Sequence, residues 1–434
     1  MNSADTKNFF VGADIPSDDV LTNCMHCALC LPVCPTYAIT GREKSSPRGR
    51  IRLIKSVAEG TLEITDGFVD EMNFCLDCQA CETACPAGVK YGSLVESARN
   101  QIRMQSKDSP LAHSLRWLLL RNVLSKKYLL KAAANLLGLY QNSKLERLVK
   151  NSHVFRKLAP KLFNVQRLSP RFDGRFFDDV YPETIKPLTT AKYRVGFLSG
   201  CLMNVSFASV HEDTVKVLLH HDCEVIVPKK QECCGSLQAH NGDFEIAREL
   251  AKKNIDAFLR FELDAIVMNS AGCGALMKEY GHYLKDDPEY AERAKLLASK
   301  VKDISEFLYT VGLKVPKKPF RHRVTYHDAC HLVHAQKISK EPRELIRSIP
   351  GLEYVELNEA SWCCGSAGIY NVTRYDDSMQ ILDRKMTNVK RTDAEYLVAN
   401  NPGCMTQIEF GCRNNGVQMK VVHLATLLRE VYEL

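Results

Sequence analysis

Eight cysteines in two copies of one spacing constrain this 434-residue chain more than anything else in it: Cys24, Cys27, Cys30 and Cys34-Pro35, then Cys75, Cys78, Cys81 and Cys85-Pro86. C-x2-C-x2-C-x3-C-P is the spacing with which thiolates hold paired [4Fe–4S] cubes, three from one run on one cube and the fourth on the other. The two-residue gaps wrap a short turn of backbone round three corners of the cube. Each proline is expected to halt the following helix and so hold the fourth thiolate apart. Crossed ligation then groups Cys24, Cys27, Cys30 with Cys85, and Cys75, Cys78, Cys81 with Cys34. A single run is also compatible with zinc. Two in-register copies, both closed by proline, favour clusters, and clusters mean an electron carrier.

The chain holds eighteen cysteines, is 45% hydrophobic and 25% charged, and has no run of eighteen apolar residues. Its first residues show no basic stretch followed by an apolar core, so no secretory signal is expected. Cytoplasm is the expected location, with peripheral contact at the inner face of the cytoplasmic membrane left open. In a reducing compartment thiols stay free, so these cysteines read as metal ligands rather than disulfides. The net charge of +7 is uneven. From Lys107 to Arg175 fifteen Lys/Arg face only Asp108, Glu146 and Asp173, a balance of +12, which leaves about −5 for the rest. No nucleic-acid partner is expected.

Between Cys34 and Cys75 the pattern is helical: Ile51, Leu53, Ile54 and Val57 share one face, then Phe68, Val69 and Met72 another. Arg42, Lys44, Arg48, Arg50, Arg52 and Lys55 crowd the same spacer beside one acid, Glu43. Either they lie near a cluster, whose reduction potential cations raise, or they form a solvated helix face. Farther on, Leu115, Leu118, Leu119, Val123, Leu129, Leu130, Leu136 and Leu137 alternate with Arg116, Arg121, Lys126, Lys127 and Lys131. Such basic amphipathic helices suit an anionic membrane surface, an acidic partner, or simple connection between domains.

The last 240 or so residues repeat themselves. Cys201, Cys233-Cys234-Gly235 and Cys273 follow strand-like runs at Arg194 to Leu198, Glu224 to Val227 and Ala265 to Met268. Cys330, Cys363-Cys364-Gly365 and Cys404 follow Arg323 to Tyr326, Glu353 to Leu357 and Tyr396 to Ala399, at offsets of 129, 130 and 131. Helical patterns lie between, such as Asp243 to Phe261 and Asp376 to Arg391. Strands alternating with helices imply βαβ units and a mainly parallel sheet in each copy. Ligands of such sheets collect at the carboxyl ends of the strands, where all these cysteines fall. Four thiolates should therefore meet twice. Cys223 and Cys412 have no counterpart in the other copy and read as structural. His327, His331 and His334 lie near Cys330; His327 is placed to hydrogen-bond a cluster sulfur or move a proton, or all three are partly exposed loop residues.

This half resembles the cysteine-rich CCG domains of heterodisulfide reductases and of the iron–sulfur subunits of flavin-linked hydroxyacid and glycerol-phosphate dehydrogenases. With the helical ferredoxin module in front, the resemblance covers nearly the whole chain and is nearest to the glycolate oxidase iron–sulfur family. It rests on PRGRIRLIK (47–55), CLDCQACETACPAGVKY (75–91), SAGCGALMKEYG (270–281), HAQK (334–337) and CCGSAGIY (363–370). The resemblance implies an α+β multidomain chain: an α-helical ferredoxin with two [4Fe–4S] clusters at 15–105, a basic helical connector at 106–190, and CCG repeats at 191–315 and 316–434. The fullest form of the CCG pattern ends in CxxC, whereas Ser270 and Asn401 replace the first cysteine of that pair here. Four thiolates per copy remain: Cys201, Cys233, Cys234, Cys273, and Cys330, Cys363, Cys364, Cys404. Up to two further [4Fe–4S] clusters fit that count, while a five-thiolate cluster does not.

No G-x-G-x-x-G follows a strand, and no other flavin or nicotinamide fingerprint stands out. Hydride chemistry on a hydroxyacid belongs to flavins, so no catalytic residue is expected in this chain. The expected role is electron transfer within a 2-hydroxyacid-oxidising complex, glycolate to glyoxylate or D-lactate oxidation, from a flavin adenine dinucleotide (FAD)-containing partner towards quinone. A thiol–disulfide reductase of heterodisulfide reductase type and the anchor subunit of a glycerol-3-phosphate dehydrogenase are the alternatives.

Overall fold

The structure is a computed structural model that describes residues 8–105, 114, 117–172 and 174–434. Its N-terminal module is helical, as the spacer pattern suggests. Helix Pro47–Ala58 begins where the Ser46 side chain accepts from the Gly49 amide, with Pro47 in the first turn, where a missing N–H costs nothing. Ile51, Ile54 and Val57 bury its inner face. They meet Phe68 and Met72 of helix Asp66–Phe74 and Leu94, Val95 and Ala98 of helix Tyr91–Gln105. Leu53 and Val69 only flank that core. The prolines act differently from expectation. Pro35 opens helix Pro35–Thr40 with Cys34 as its N-cap, and Pro86 sits in a turn. A ring fixed near φ −65° suits a first helical position, so proline starts the helix that carries the chain away from the fourth thiol.

Nine strands form two sheets among the described residues. The first holds β1 (Thr184–Ile185), β2 (Tyr193–Phe197), β3 (Cys223–Ile226), β4 (Ala265–Met268) and β5 (Val301–Asp303) in the order β1-β3-β2-β4-β5. The second holds β6 (Arg323–His327), β7 (Glu353–Val355), β8 (Tyr396–Ala399) and β9 (Lys420–Val422) in the order β7-β6-β8-β9. Apart from β1, the two sheets have one topology, and every pairing in it is parallel. β1 is an addition, antiparallel to β3, contributed by the stretch read as connector. Val195, Phe197 and Val267 of the first sheet pack in one core with Val324, Tyr326 and Val398 of the second. The copies are therefore fused through buried apolar surface, not strung on a linker.

The basic connector folds as helices Lys127–Gln141, Lys144–Asn151, His153–Leu158 and Pro160–Leu168. Leu130 and Ala134 pack into the first copy and Leu168 into the second. Leu136, Leu139, Leu145, Leu148, Leu158 and Leu162 all remain exposed. Leu115 and Arg116 lie outside the described residues. Helix Tyr91–Gln105 also touches the first copy, where Gly242 (φ +77°) passes so close to the Arg99 carbonyl that a Cβ would stand 2.5 Å from its carbon.

Candidate functional site

The two N-terminal cysteine runs share an unusual backbone. His26 and Ala28 in the first, and Asp77 and Gln79 in the second, all have φ between +54° and +72°. Left-handed non-glycine residues are costly and persist where the surroundings demand them. Here they turn each loop so that its thiols face inward. Cys24, Cys27 and Cys30 line a cavity that Cys85 also lines; Cys34 lines a second cavity with Cys75 and Cys78, and Cys81 borders both. The six basic residues of the spacer divide. Arg48 borders the first cavity and Arg50 the second. Arg50 is fully buried, donating to the Glu71 carbonyl (2.8 Å) and to Thr36 Oγ1 (3.1 Å). Arg42, Lys44, Arg52 and Lys55 belong to the surface, Lys44 pairing with Glu71, and Arg52 and Lys55 with Glu59.

All eight thiols of the two repeats line one common cavity. Each set arrives from three strand ends, as parallel βαβ geometry dictates. In both copies the glycine after the paired cysteines has φ +90°, and its amide donates to the first of them, Gly235 to Cys233 Sγ (3.5 Å) and Gly365 to Cys363 Sγ (3.4 Å). Only glycine fits: a Cβ at Gly365 would lie 2.6 Å from the Ser378 carbonyl oxygen. Cys201 and Cys233 bring their sulfurs to 3.4 Å. Ser270 and Asn401 sit at the seam between the copies, where the Ala271 amide donates to the Asn400 carbonyl. Asn401 Nδ2 donates to Cys404 Sγ (3.6 Å), and the Ser270 side chain helps to lower the Cys273 thiol, after the stronger effect of Cys234. Each non-cysteine substitute thus serves the thiol three residues on.

The three histidines near Cys330 are drawn inward rather than left in an open loop. His327 is 1% exposed and lies with Cys364 and Cys404, their ligating atoms all within 4.8 Å. His331 lines the common cavity, and His334 Nδ1 meets Thr83 Oγ1 of the N-terminal module (3.0 Å). Sequence reasoning missed His240, which also lines the cavity and stacks on His331 with ring centroids 4.8 Å apart. Its Nδ1 lies 2.5 Å from Glu96 Oε1 and 3.1 Å from Asp77 Oδ2. Burial opposes the charged ring, but those two carboxylates outweigh it and raise His240 to about 10. Cys78 meanwhile shares a hydrophobic cluster with Cys363 and Cys330, so the second N-terminal cavity abuts the second copy.

The donor sets suit iron–sulfur clusters. They are all-thiol and, Cys27 apart, buried or half-buried, and burial pushes Cys78 and Cys81 well above the usual thiol range. Such thiols become thiolates only beside a strongly cationic core. The model of the 4Fe-4S dicluster domain matches residues 20–89. That of the cysteine-rich domain matches 195–278 and again 324–409, and that of the glycolate oxidase iron-sulfur subunit linker region matches 112–168. The probable glycolate oxidase iron-sulfur subunit of Bacillus subtilis (strain 168) is 41% identical over 420 residues, 94% of each chain. This chain belongs to the glycolate oxidase iron–sulfur subunit family. The glycolate oxidase iron-sulfur subunit of Escherichia coli (strain K12) is 31% identical over 408 residues, 92% of this chain and 93% of that one. Lactate utilization protein A of Oceanobacillus iheyensis is 34% identical over 236 residues, 54% of this chain and 96% of its own length. Membership of the glycolate oxidase iron–sulfur subunit family makes the N-terminal module a [4Fe–4S] carrier and removes the zinc reading. Both CCG matches stop short of β5 and β9, the last strand of each sheet.

Proposed function

We propose that this chain is the electron-transfer subunit of a complex that oxidises a 2-hydroxyacid, glycolate to glyoxylate or D-lactate, with oxidation on a flavin-containing partner chain and quinone as the onward acceptor. The observation that carries the reading is full-length likeness to glycolate oxidase iron–sulfur subunits, combined with thiol-lined cavities that abut one another through the chain. Clusters bound there supply one-electron chemistry at potentials set by charge, hydrogen bonding and exposure. Cys24, Cys27, Cys30 and Cys85 hold one and Cys34, Cys75, Cys78 and Cys81 another. Cys201, Cys233, Cys234, Cys273 and Cys330, Cys363, Cys364, Cys404 hold up to two more. Cys27 is the exposed member of the first set, with Met25 and Leu29 exposed beside it, which suits entry from a docked donor. Arg50 keeps a permanent cation against the second set, and Tyr91 donates its hydroxyl to Cys75 Sγ (3.5 Å).

The test is reconstitution. The anaerobically purified chain alone should show no glycolate or D-lactate turnover with a quinone analogue, and restoring the flavoprotein partner should bring turnover back. Flavin bound to the lone chain, or hydroxyacid oxidation by it, would defeat the assignment.

The connector supports a peripheral membrane contact. No helix among the described residues is long and apolar enough to cross a bilayer. Its exposed leucines instead stand among Lys144, Arg147, Lys157 and Lys161 in a segment of balance +12. Leucines of that kind insert shallowly, and each Lys or Arg near anionic headgroups adds roughly 1 kcal/mol. Sedimentation should show the chain on vesicles containing phosphatidylserine and not on neutral ones, with release as salt rises. Equal binding to both vesicle types would remove the electrostatic part of the argument.

A further inference from the structure

The two cysteine-rich copies agree in topology and thiol placement but differ in what lies beneath the thiols. Cys201 and Cys330 fix one offset between them, and Ala247 and Ser378, which crowd Gly235 and Gly365 in the same way, fix another. By these offsets His327 corresponds to Leu198, and Lys385 to Asn254. Asn254 is a neutral brace. It is fully buried, donates to the Cys233 carbonyl (2.9 Å) and to Tyr280 Oη (3.2 Å), and accepts from the Glu232 amide (2.9 Å). Lys385 is also fully buried, on helix Tyr375–Arg391, and its ammonium donates to the carbonyls of Glu359 (2.6 Å) and Ala360 (3.0 Å). No carboxylate pairs with it among the described residues. Glu359 gives its carboxylate to Arg384 and Asn388, and Asp328 gives its own to Arg343. Leu382 and Met386, on either side of it along the helix, pack in one cluster with Cys364 and Cys404. Burial lowers Lys385 to about 8, while Cys364, Cys363, Asp328 and Cys404 favour its charge. His327 adds a ring beside Cys364 and Cys404 with neither nitrogen hydrogen-bonded among the described residues, where the first copy has a leucine. The first copy does have a cation nearby, His240, but Asp77 and Glu96 flank it and more than cancel its charge.

We propose that Lys385 and His327 make the second cysteine-rich copy the stronger electron acceptor of the two. This rests on the reading that each copy holds an iron–sulfur cluster. Reduction adds negative charge, so a buried cation or an N–H aimed at sulfur favours the reduced form. The N-terminal module touches the second copy through Cys78, so the better acceptor would lie beside the second set of N-terminal thiols. Lys385 and His327 are positioning residues: they bind nothing that reacts.

Full-length protein, purified anaerobically and titrated potentiometrically under electron paramagnetic resonance, tests this. Cys364→Ser marks the signal of the second copy by removing it. Lys385→Met should lower that midpoint by about tenfold in the reduction equilibrium, ~59 mV for a one-electron couple, and leave the other signals in place. Lys385→Arg should restore most of it. His327→Leu, which copies the first repeat, should move the same midpoint the same way and serves if Lys385→Met fails to fold. If Cys364→Ser removes no signal, the cluster reading itself is wrong. A signal that Cys364→Ser removes, but that keeps its midpoint in Lys385→Met and His327→Leu, overturns the inference alone.

Discussion

Serine at Cys364 is expected to stop electron flow to a quinone-like acceptor while the N-terminal module keeps about eight irons. Serine at Cys234 should do the same through the first copy. Both side chains are 2% exposed and line the common cavity, so each loss removes one of the four thiols of its set. The contrast is Cys223→Ser and Cys412→Ser, which should leave electron flow nearly unchanged. Cys223 points into the core shared by the two sheets, where burial pushes its thiol up to about 12. Cys412 is buried in the core of the second copy and raised by burial to about 11. A thiol held protonated among aliphatic side chains has no metal to bind. Iron content and steady-state acceptor reduction, measured on the same four variants, check this. Unchanged turnover in both Cys234→Ser and Cys364→Ser would make the repeat cysteines merely structural.

The thiols were legible in the sequence because each set is specified locally. C-x2-C-x2-C fixes three corners within seven residues, and the paired cysteines with their glycine mark a strand end twice at one offset. Strand alternation gave the parallel sheets for the same reason, since buried strands such as Ala265–Met268 are apolar at every position. β5 and β9 escaped notice: at three residues each, with charged Lys302, Asp303 and Lys420 among them, they carry almost no pattern. β1 is a two-residue graft that the register of β3 creates. The merging of two thiol sets into one cavity was also hidden, because it depends on how the copies pack across the Ala271–Asn400 seam. Spacing says nothing of such contacts. The six spacer cations show the limit well. Helical period places Arg50 with Ile54 and Val57 on the inner face, so its burial was readable, but its Glu71 and Thr36 partners were not.

His240→Leu is the substitution outside the thiols from which we expect the largest loss of stability, about 3–5 kcal/mol. His240 comes from the first repeat, whereas Asp77 and Glu96 come from the N-terminal module, so the triad is an ionic joint between them. The side chains of Asp77 and Glu96 are 2% and 7% exposed. Glu96 keeps a bond from the Tyr283 hydroxyl (2.6 Å), while Asp77 has no hydrogen-bonding side chain left once the ring is gone. Two buried carboxylates would then face each other with only the weaker pull of Arg99 on Asp77 to offset them. The double variant His240→Leu with Glu96→Gln should recover part of the loss, because removing one of the charges relieves the repulsion. The pH dependence has a definite sign. With the folded-state value raised to about 10 from an ordinary 6.5, the stabilisation is complete below about pH 6.5, declines above it, and is lost as pH rises through about 10. Anaerobic thermal unfolding of wild type should therefore show this joint weakening between pH 7 and pH 10, and His240→Leu should lose that part of the slope. If the two proteins have parallel melting profiles across that range, the imidazolium contributes nothing to holding the module against the first repeat.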